Sequence, residues 1–357
     1  MVTGVTHGVG DTDAWLAAGF VDLQVNGYAG LDLNDGALTP ATVIKLAERL
    51  ARDGVTTFAP TLITASEASI IAGLRAIAEA RRQSPLVAAM VPFVHVEGPS
   101  ISREDGPRGA HPLAHVRAPS VDEFHRWQDA GEGLVGLVTL SPEWPEAPAY
   151  IEALAKAGVL VSIGHTAATP AQVRAAADAG ARLSTHLGNG AAATLPRHPN
   201  FIWTQLADDR LTASFIADGH HLPADTLKAM LRAKSLDRAI LVSDAAALGA
   251  MPPGRYSSNI GGDVDVSADG RLSVARTAYL AGAGHLLKQN VATLVNAVGL
   301  PLADALRLAT RNPGAFAGGR GTIEVGGRAD LMRFRFAPGE PQLTIEKTIV
   351  AGMEISR

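Results

Sequence analysis

Glu97, His165, His186 and Asp244 each close a short apolar run. The runs read Val94-His95-Val96-Glu97, Val161-Ser162-Ile163-Gly164-His165, Arg182-Leu183-Ser184-Thr185-His186 and Ile240-Leu241-Val242-Ser243-Asp244. Apolar, β-branched runs of this length read as buried strands. One polar residue at a strand exit carries little information. Four of them, in the order Glu, His, His, Asp, point to one shared site at the carboxyl rim of a parallel barrel. Glutamate and two histidines can hold Zn²⁺ or Fe²⁺ and leave a coordination position for water. Such a cation lowers the pKa of its water from ~16 towards ~7, so hydroxide is available at neutral pH. An aspartate beside it can take a proton during attack and return it to the leaving amine. The nearby cation favours the ionised form that a base needs. The chemistry implied is metal-assisted hydrolysis.

Those residues must be positioned by regular elements, and strand-like runs alternate with helix-like stretches along most of the chain. Strands are expected at 19–25, 55–59, 91–97, 134–140, 159–165, 182–186, 212–217 and 239–244, with Ala/Leu/Arg-rich amphipathic segments between them. After His165 the helix signals are explicit. Thr169 is an N-cap, Pro170 suits the first helical position, Gln172 completes a capping box and Gly180 suits the position past the end. Eight strands with intervening helices predict a (β/α)8 TIM-type barrel over a doubly wound sheet. The expected barrel domain is 19–316. Residues 1–18 plus 317–357 form a small β-sandwich appendage, reduced at the N-terminus, with strands at 322–325, 331–336 and 343–350 and turns at Gly326-Gly327 and Pro338-Gly339. A Gly/Pro-rich excursion over 251–271 is expected to form a hairpin near the appendage or the site mouth, and 1–11 to lack regular structure.

Bulk properties narrow the class. Of 357 residues, 47% are hydrophobic and 18% charged, which suits a large globular core. Net charge is −4 without a basic block, so nucleic acid is not an expected partner. Cysteine is absent, which excludes disulfides and thiolate nucleophiles and leaves His and carboxylates as metal ligands. No Lys or Arg precedes Lys45, and no apolar run reaches membrane-spanning length. A cytoplasmic protein without membrane contact is the expectation.

Longer motifs carry a resemblance. They are Gly19-Phe20-Val21-Asp22-Leu23-Gln24-Val25-Asn26-Gly27, His95-Val96-Glu97-Gly98-Pro99, Gly164-His165-Thr166, Thr185-His186-Leu187-Gly188-Asn189, Ile216-Ala217-Asp218-Gly219-His220-His221 and Val242-Ser243-Asp244-Ala245. Ala309-Thr310-Arg311-Asn312-Pro313 and Gly326-Gly327-Arg328-Ala329-Asp330-Leu331 follow late in the chain. Over residues 19–330 the chain resembles N-acetylglucosamine-6-phosphate deacetylases of the amidohydrolase superfamily. The resemblance implies removal of the N-acetyl group of an amino sugar by a homodimer that uses a divalent metal. Glu97, His165 and His186 fall on the metal ligands, and Asp244 on the catalytic acid/base. His111 falls on a histidine that can donate to the scissile carbonyl as charge develops there. Substrate contacts fall on Asn189 with its neighbour Gly190, on Arg197, on His221 and on the wall around Ala283. Many amidohydrolases carry His-x-His on the first strand and bind two metals. Gln24-Val25-Asn26 stands there instead, which implies a single ion.

The chain departs from the family pattern in three places. Leu195-Pro196-Arg197-His198-Pro199-Asn200 replaces the usual Gly-Arg-Glu-Pro-Gly-like phosphate segment, though Arg197 still aligns and could bind phosphate bidentately. In Leu280-Ala281-Gly282-Ala283-Gly284-His285, Ala283 and His285 stand where Ser and Leu are usual. Relatives carry more strand before the first barrel motif. These departures leave room for a related amidohydrolase acting on another N-acyl or cyclic amide, phosphorylated or not. His95 shares a strand face with Glu97 and is expected to support that ligand. A one-residue slip would exchange His220 and His221. Trp144, after Ser141-Pro142-Glu143, could line the pocket or simply pack.

Overall fold

The computed structural model describes residues 1–4, 13–258, 261–277 and 279–356. Its centre is a sheet of eight neighbouring parallel strands: Phe20–Val25, Val55–Ile63, Val94–Glu97, Val135–Leu140, Leu160–Ile163, Leu183–Ser184, Thr212–Phe215 and Ala239–Leu241. The first and eighth are stitched by Asn26 N donating to Ala245 O at 2.8 Å and Asp244 N to Gln24 O at 3.0 Å, so the sheet curls into a barrel. All eight expected strands are present, with shifted ends. The third begins at Val94, because Ser84 caps a short helix, Pro85–Met90, in front of it. The sixth keeps only two ladder residues before the chain turns at the site.

Alternation along the strands sorts side chains between two layers. Val94, Val96, Val161, Ile163, Ala213 and Phe215 face the helices and join the main core. Val21, Leu23, Leu137, Leu183, Ile240 and Val242 pack as a second cluster. Burial of this apolar surface, at about 25 cal/mol per Å², is the main stabilising term. The helix after His165 runs Pro170–Ala179, with both hydrogen bonds of the Thr169/Gln172 capping box in place and Gly180 at φ 122°. That cap is worth about 1 kcal/mol.

The appendage is a four-stranded antiparallel sheet in the order Trp15–Ala18, Leu331–Arg335, Thr344–Val350, Met353–Ile355. Residues 322–325, expected as a strand, form none. They lie between Gly321 at φ 76° and a turn at Gly326. Trp15–Ala18 takes an edge position in the sheet instead. The 251–271 excursion contains the expected hairpin, Gly254–Ser258 against Gly262–Val266; Leu272–Val274, just after it, adds a third antiparallel strand, and the residues that follow reach the site mouth. Of the expected irregular N-terminus, residues 5–12 lie outside the described residues. No helix among the described residues is long and apolar enough to cross a membrane.

Candidate active site

A cleft of about 260 Å³ opens at the carboxyl rim, and its wall includes Glu97, His111, His165, His186, Asn189, Gly190, His221 and Asp244. Strand exits from around the barrel thus deliver their polar residues to one place. Three of them leave their strands in the left-handed region, with φ 48° at His165, 29° at His186 and 52° at Asp244. A non-glycine residue rarely holds that conformation unless its surroundings enforce it.

One ligand-type atom from each of Glu97, His165 and His186 lies within 4.8 Å of the others. Glu97 Oε1 is 3.0 Å from His186 Nε2 and 3.3 Å from His165 Nε2. His165 Nδ1 is 2.9 Å from Pro107 O, which can only accept, so Nδ1 carries a proton and Nε2 is the atom directed at Glu97. That leaves the Nε2 atoms of both histidines and the Glu97 carboxylate as the atoms able to share one cation. The donor set of one carboxylate and two imidazoles suits a divalent metal, and the backbone carbonyl holding His165 is the usual orienting partner of a ligand histidine. Burial works against charge on Glu97, but the two imidazoles outweigh it and hold its carboxyl well below the usual range. His186 is raised, its contact with Glu97 overcoming burial.

Asp244 is held by two amides. Its Oδ1 accepts from Asn26 Nδ2 at 2.8 Å and Gln24 Nε2 at 3.0 Å, which leaves Oδ2 for the cleft. Gln24 Nε2 also reaches Glu97 Oε1 at 3.0 Å. Gln24 and Asn26 therefore hold the Asp244 and Glu97 carboxylates through neutral amides. Burial pushes Asp244 up to about 6, with His186 pulling the other way. His111 lies edge-on to His165, its Nε2 4.0 Å from Glu97 Oε2 and its Nδ1 2.9 Å from Thr64 Oγ1. Burial, reinforced by His165, lowers His111 to about 3 and keeps it neutral.

At the far wall His221 Nδ1 is 2.8 Å from Asp218 Oδ2, while Asn189 Nδ2 donates to His186 O at 3.1 Å. Asp218 is lowered: burial opposes this, but the hydrogen bond to His221 prevails. The His220/His221 ambiguity is resolved by placement. His221 faces the cleft, and His220 turns away to Asp269 O at 3.1 Å. Gly190 passes so close to His165 that a Cβ would meet Nδ1 at 2.8 Å, at φ 57°, and only glycine fits.

Two expected contacts lie elsewhere. Arg197 is exposed in the 191–200 loop, outside the cleft wall. Ala283 is buried beneath the wall, where its N–H donates to Asp244 O at 3.0 Å, and the wall is made instead by Tyr279, Leu280, Ala281 and Gly282. His95 does not join the cluster of Glu97, His165 and His186. Its ring spans Leu23 O at 3.2 Å and Thr139 Oγ1 at 2.8 Å on the barrel's inner face. Burial lowers it to about 4, so it is neutral. Trp144 packs, donating from Nε1 to Ile101 O at 3.1 Å. Neither the hold of Asn26 on Asp244 nor that of Pro107 on His165 is marked by any local motif, because both depend on loops meeting.

The profile of the Amidohydrolase family matches residues 15–355. An N-acetylgalactosamine-6-phosphate deacetylase of Escherichia coli O157:H7 is 34% identical over 89% of this chain and 82% of its own length. The human N-acetylglucosamine-6-phosphate deacetylase is 33% identical over 94% and 82%. The solved N-acetyl-D-glucosamine-6-phosphate deacetylase of Mycobacterium smegmatis, in complex with N-acetyl-D-glucosamine-6-phosphate, superposes with a TM-score of 0.87 at 31% identity, covering 99% of this chain and 92% of that one.

Proposed function

Since this chain belongs to the amidohydrolase family and is a hydrolase, we propose that it removes the acetyl group of an N-acetylhexosamine 6-phosphate. N-acetylglucosamine 6-phosphate is the first choice, giving glucosamine 6-phosphate and acetate. The observation that carries this reading is the convergence of Glu97, His165, His186, Asp244 and His111 on one cleft. Glu97, His165 and His186 would hold one divalent ion, Zn²⁺ with Fe²⁺ as the alternative, and when bound it supplies Lewis acidity for the carbonyl and activates water.

The remaining work falls to the chain's own groups. Asp244 Oδ1 is occupied by the two amides, so Oδ2 takes the proton of the attacking water and passes it to the departing nitrogen. With the Thr64 hydroxyl donating to His111 Nδ1 at 2.9 Å rather than to Glu97 O at 3.5 Å, the proton lies on Nε2, directed at the carbonyl oxygen as charge builds there. Asp218 accepts a hydrogen bond from His221 Nδ1–H, which leaves Nε2 to accept from a sugar hydroxyl. Asn189 offers its side-chain oxygen beside it. Working in the cytoplasm, the enzyme forms a homodimer in which Arg197 serves phosphate at the cleft of the second copy.

One observation favours a second reading. No Lys or Arg belongs to the cleft wall among the described residues, which suits an unphosphorylated N-acyl substrate. Acetate release from N-acetylglucosamine 6-phosphate, N-acetylgalactosamine 6-phosphate and free N-acetylglucosamine, measured with Zn²⁺-loaded protein, separates them. Turnover of the free sugar alone supports the second reading. No release from any of the three defeats both.

A further inference from the structure

Outside the cleft wall, one carboxylate ties together the loops that carry two of the three proposed ligands. Glu143 lies just beyond the fourth barrel strand, Val135–Leu140. Its Oε1 accepts from Ser102 Oγ at 3.2 Å. Its Oε2 accepts from Ala167 N at 2.9 Å, Thr166 Oγ1 at 3.3 Å and Ser141 Oγ. Ser102 lies on the loop that leaves Glu97, and Thr166 directly follows His165. The same two loops meet through Ser102 N, which donates to His165 O at 2.9 Å. Ser141 N donates to Ser100 O at 2.9 Å, and Trp144 Nε1 to Ile101 O at 3.1 Å, so the segment around Glu143 grips the Glu97 loop along its length.

We propose that Glu143 is a positioning residue for the metal site, locking the His165 loop against the Glu97 loop so that the two side chains keep the spacing a shared cation needs. The proposal rests on reading Glu97, His165 and His186 as the ligand set. Two further observations give Glu143 this work. First, the ring and the backbone of His165 are held separately. Pro107 O fixes the ring, whereas the backbone, at φ 48°, needs its own restraint. Second, four donors from three loops converge on two oxygens. An ionised acceptor binds such donors about twice as strongly as a neutral one. Glu143 itself does not line the cleft, and with its oxygens filled by protein donors it is neither a ligand nor a proton carrier.

The test compares the parent with Glu143→Gln and Glu143→Ala. Zn²⁺ affinity is read by competition with a chromophoric chelator, ligand geometry by the visible spectrum of the Co²⁺-substituted protein, and folding by thermal melts after chelation. Glu143→Gln is expected to weaken Zn²⁺ binding about 10- to 100-fold, to alter the Co²⁺ spectrum, and to lower kcat with little change in KM. Its chelated form should melt within a few degrees of the parent. Parental affinity and an unchanged Co²⁺ spectrum in folded Glu143→Gln would overturn the proposal and leave Glu143 a role in the fold alone. If the parent takes up no stoichiometric metal, the ligand-set reading itself fails, and that result does not depend on either variant. Glu143→Ala sets the upper limit of the effect where it folds.

Discussion

Asp22→Asn tests whether a buried carboxyl beneath the site is kept protonated. Asp22 is fully buried on the first strand. Its Oδ1 accepts from Ser243 N at 3.0 Å and Gln24 N at 3.4 Å, while Oδ2 is buried without a partner. Burial raises its pKa from 3.8 to about 7, the hydrogen bonds from Ser243 opposing only part of that. About 3 pH units correspond to about 4 kcal/mol between the two protonation states. The folded-state pKa is raised, so the stability this group contributes is fully present below about pH 4 and is lost as pH rises through about 7. Asparagine mimics the protonated form and keeps Oδ1 in place. Its Nδ2 inherits the partnerless position, which costs about 1–3 kcal/mol. The variant should therefore be about 1–3 kcal/mol more stable than the parent at pH 8 and no more stable at pH 4. Urea unfolding of both chelated proteins from pH 4 to pH 9 gives the difference curve, in which other titrations cancel. A curve flat to within about 1 kcal/mol would refute the argument. Because Oδ1 still holds Ser243, next to Asp244, kcat should change less than threefold.

Four further outcomes are expected. Asp244→Asn should lower kcat about 10²- to 10⁴-fold with metal content unchanged, since asparagine can keep its oxygen on Gln24 and Asn26; turnover within tenfold of the parent would remove Asp244 from the chemistry. His111→Asn should lower kcat about 10²- to 10³-fold, as loss of one oxyanion donor does, and an effect on KM alone would count against it. Arg197→Ala should raise KM for the 6-phosphate about 10-fold or more, the worth of a charged hydrogen bond, while leaving unphosphorylated sugar unaffected; steady-state kinetics on both sugars decides. Thr169→Ala should cost about 1 kcal/mol in urea unfolding through loss of the helix cap, with activity retained.

Much of the fold was legible because its signals are local. Strand alternation, the Thr169/Gln172 box and Gly180 act over a few residues, and each reappears in place. The segment 322–325 misled because β-branched composition says nothing about whether a neighbouring strand is available. Trp15–Ala18 was missed for the converse reason: its partner, Leu331–Arg335, lies more than three hundred residues away. Within the site, Glu97, His165, His186 and Asp244 were visible as polar ends of apolar runs. Arg197 and Ala283 were placed by motif position alone: the structure sets Arg197 on an exposed loop outside this chain's cleft wall and Ala283 just beneath the wall, its N–H on Asp244 O.

The sequence by itself determined the chemistry available: one carboxylate and two imidazoles at strand exits, an aspartate just past the last strand, and amides at Gln24 and Asn26 on the end of the first. Residue type and strand period suffice for that. The tertiary structure decided how those groups are held. Gln24 and Asn26 close on Asp244 across the barrel seam, Pro107 turns the His165 ring, and Glu143 gathers two loops. Each of these contacts joins segments distant along the chain, and closing the barrel brings them within hydrogen-bonding reach.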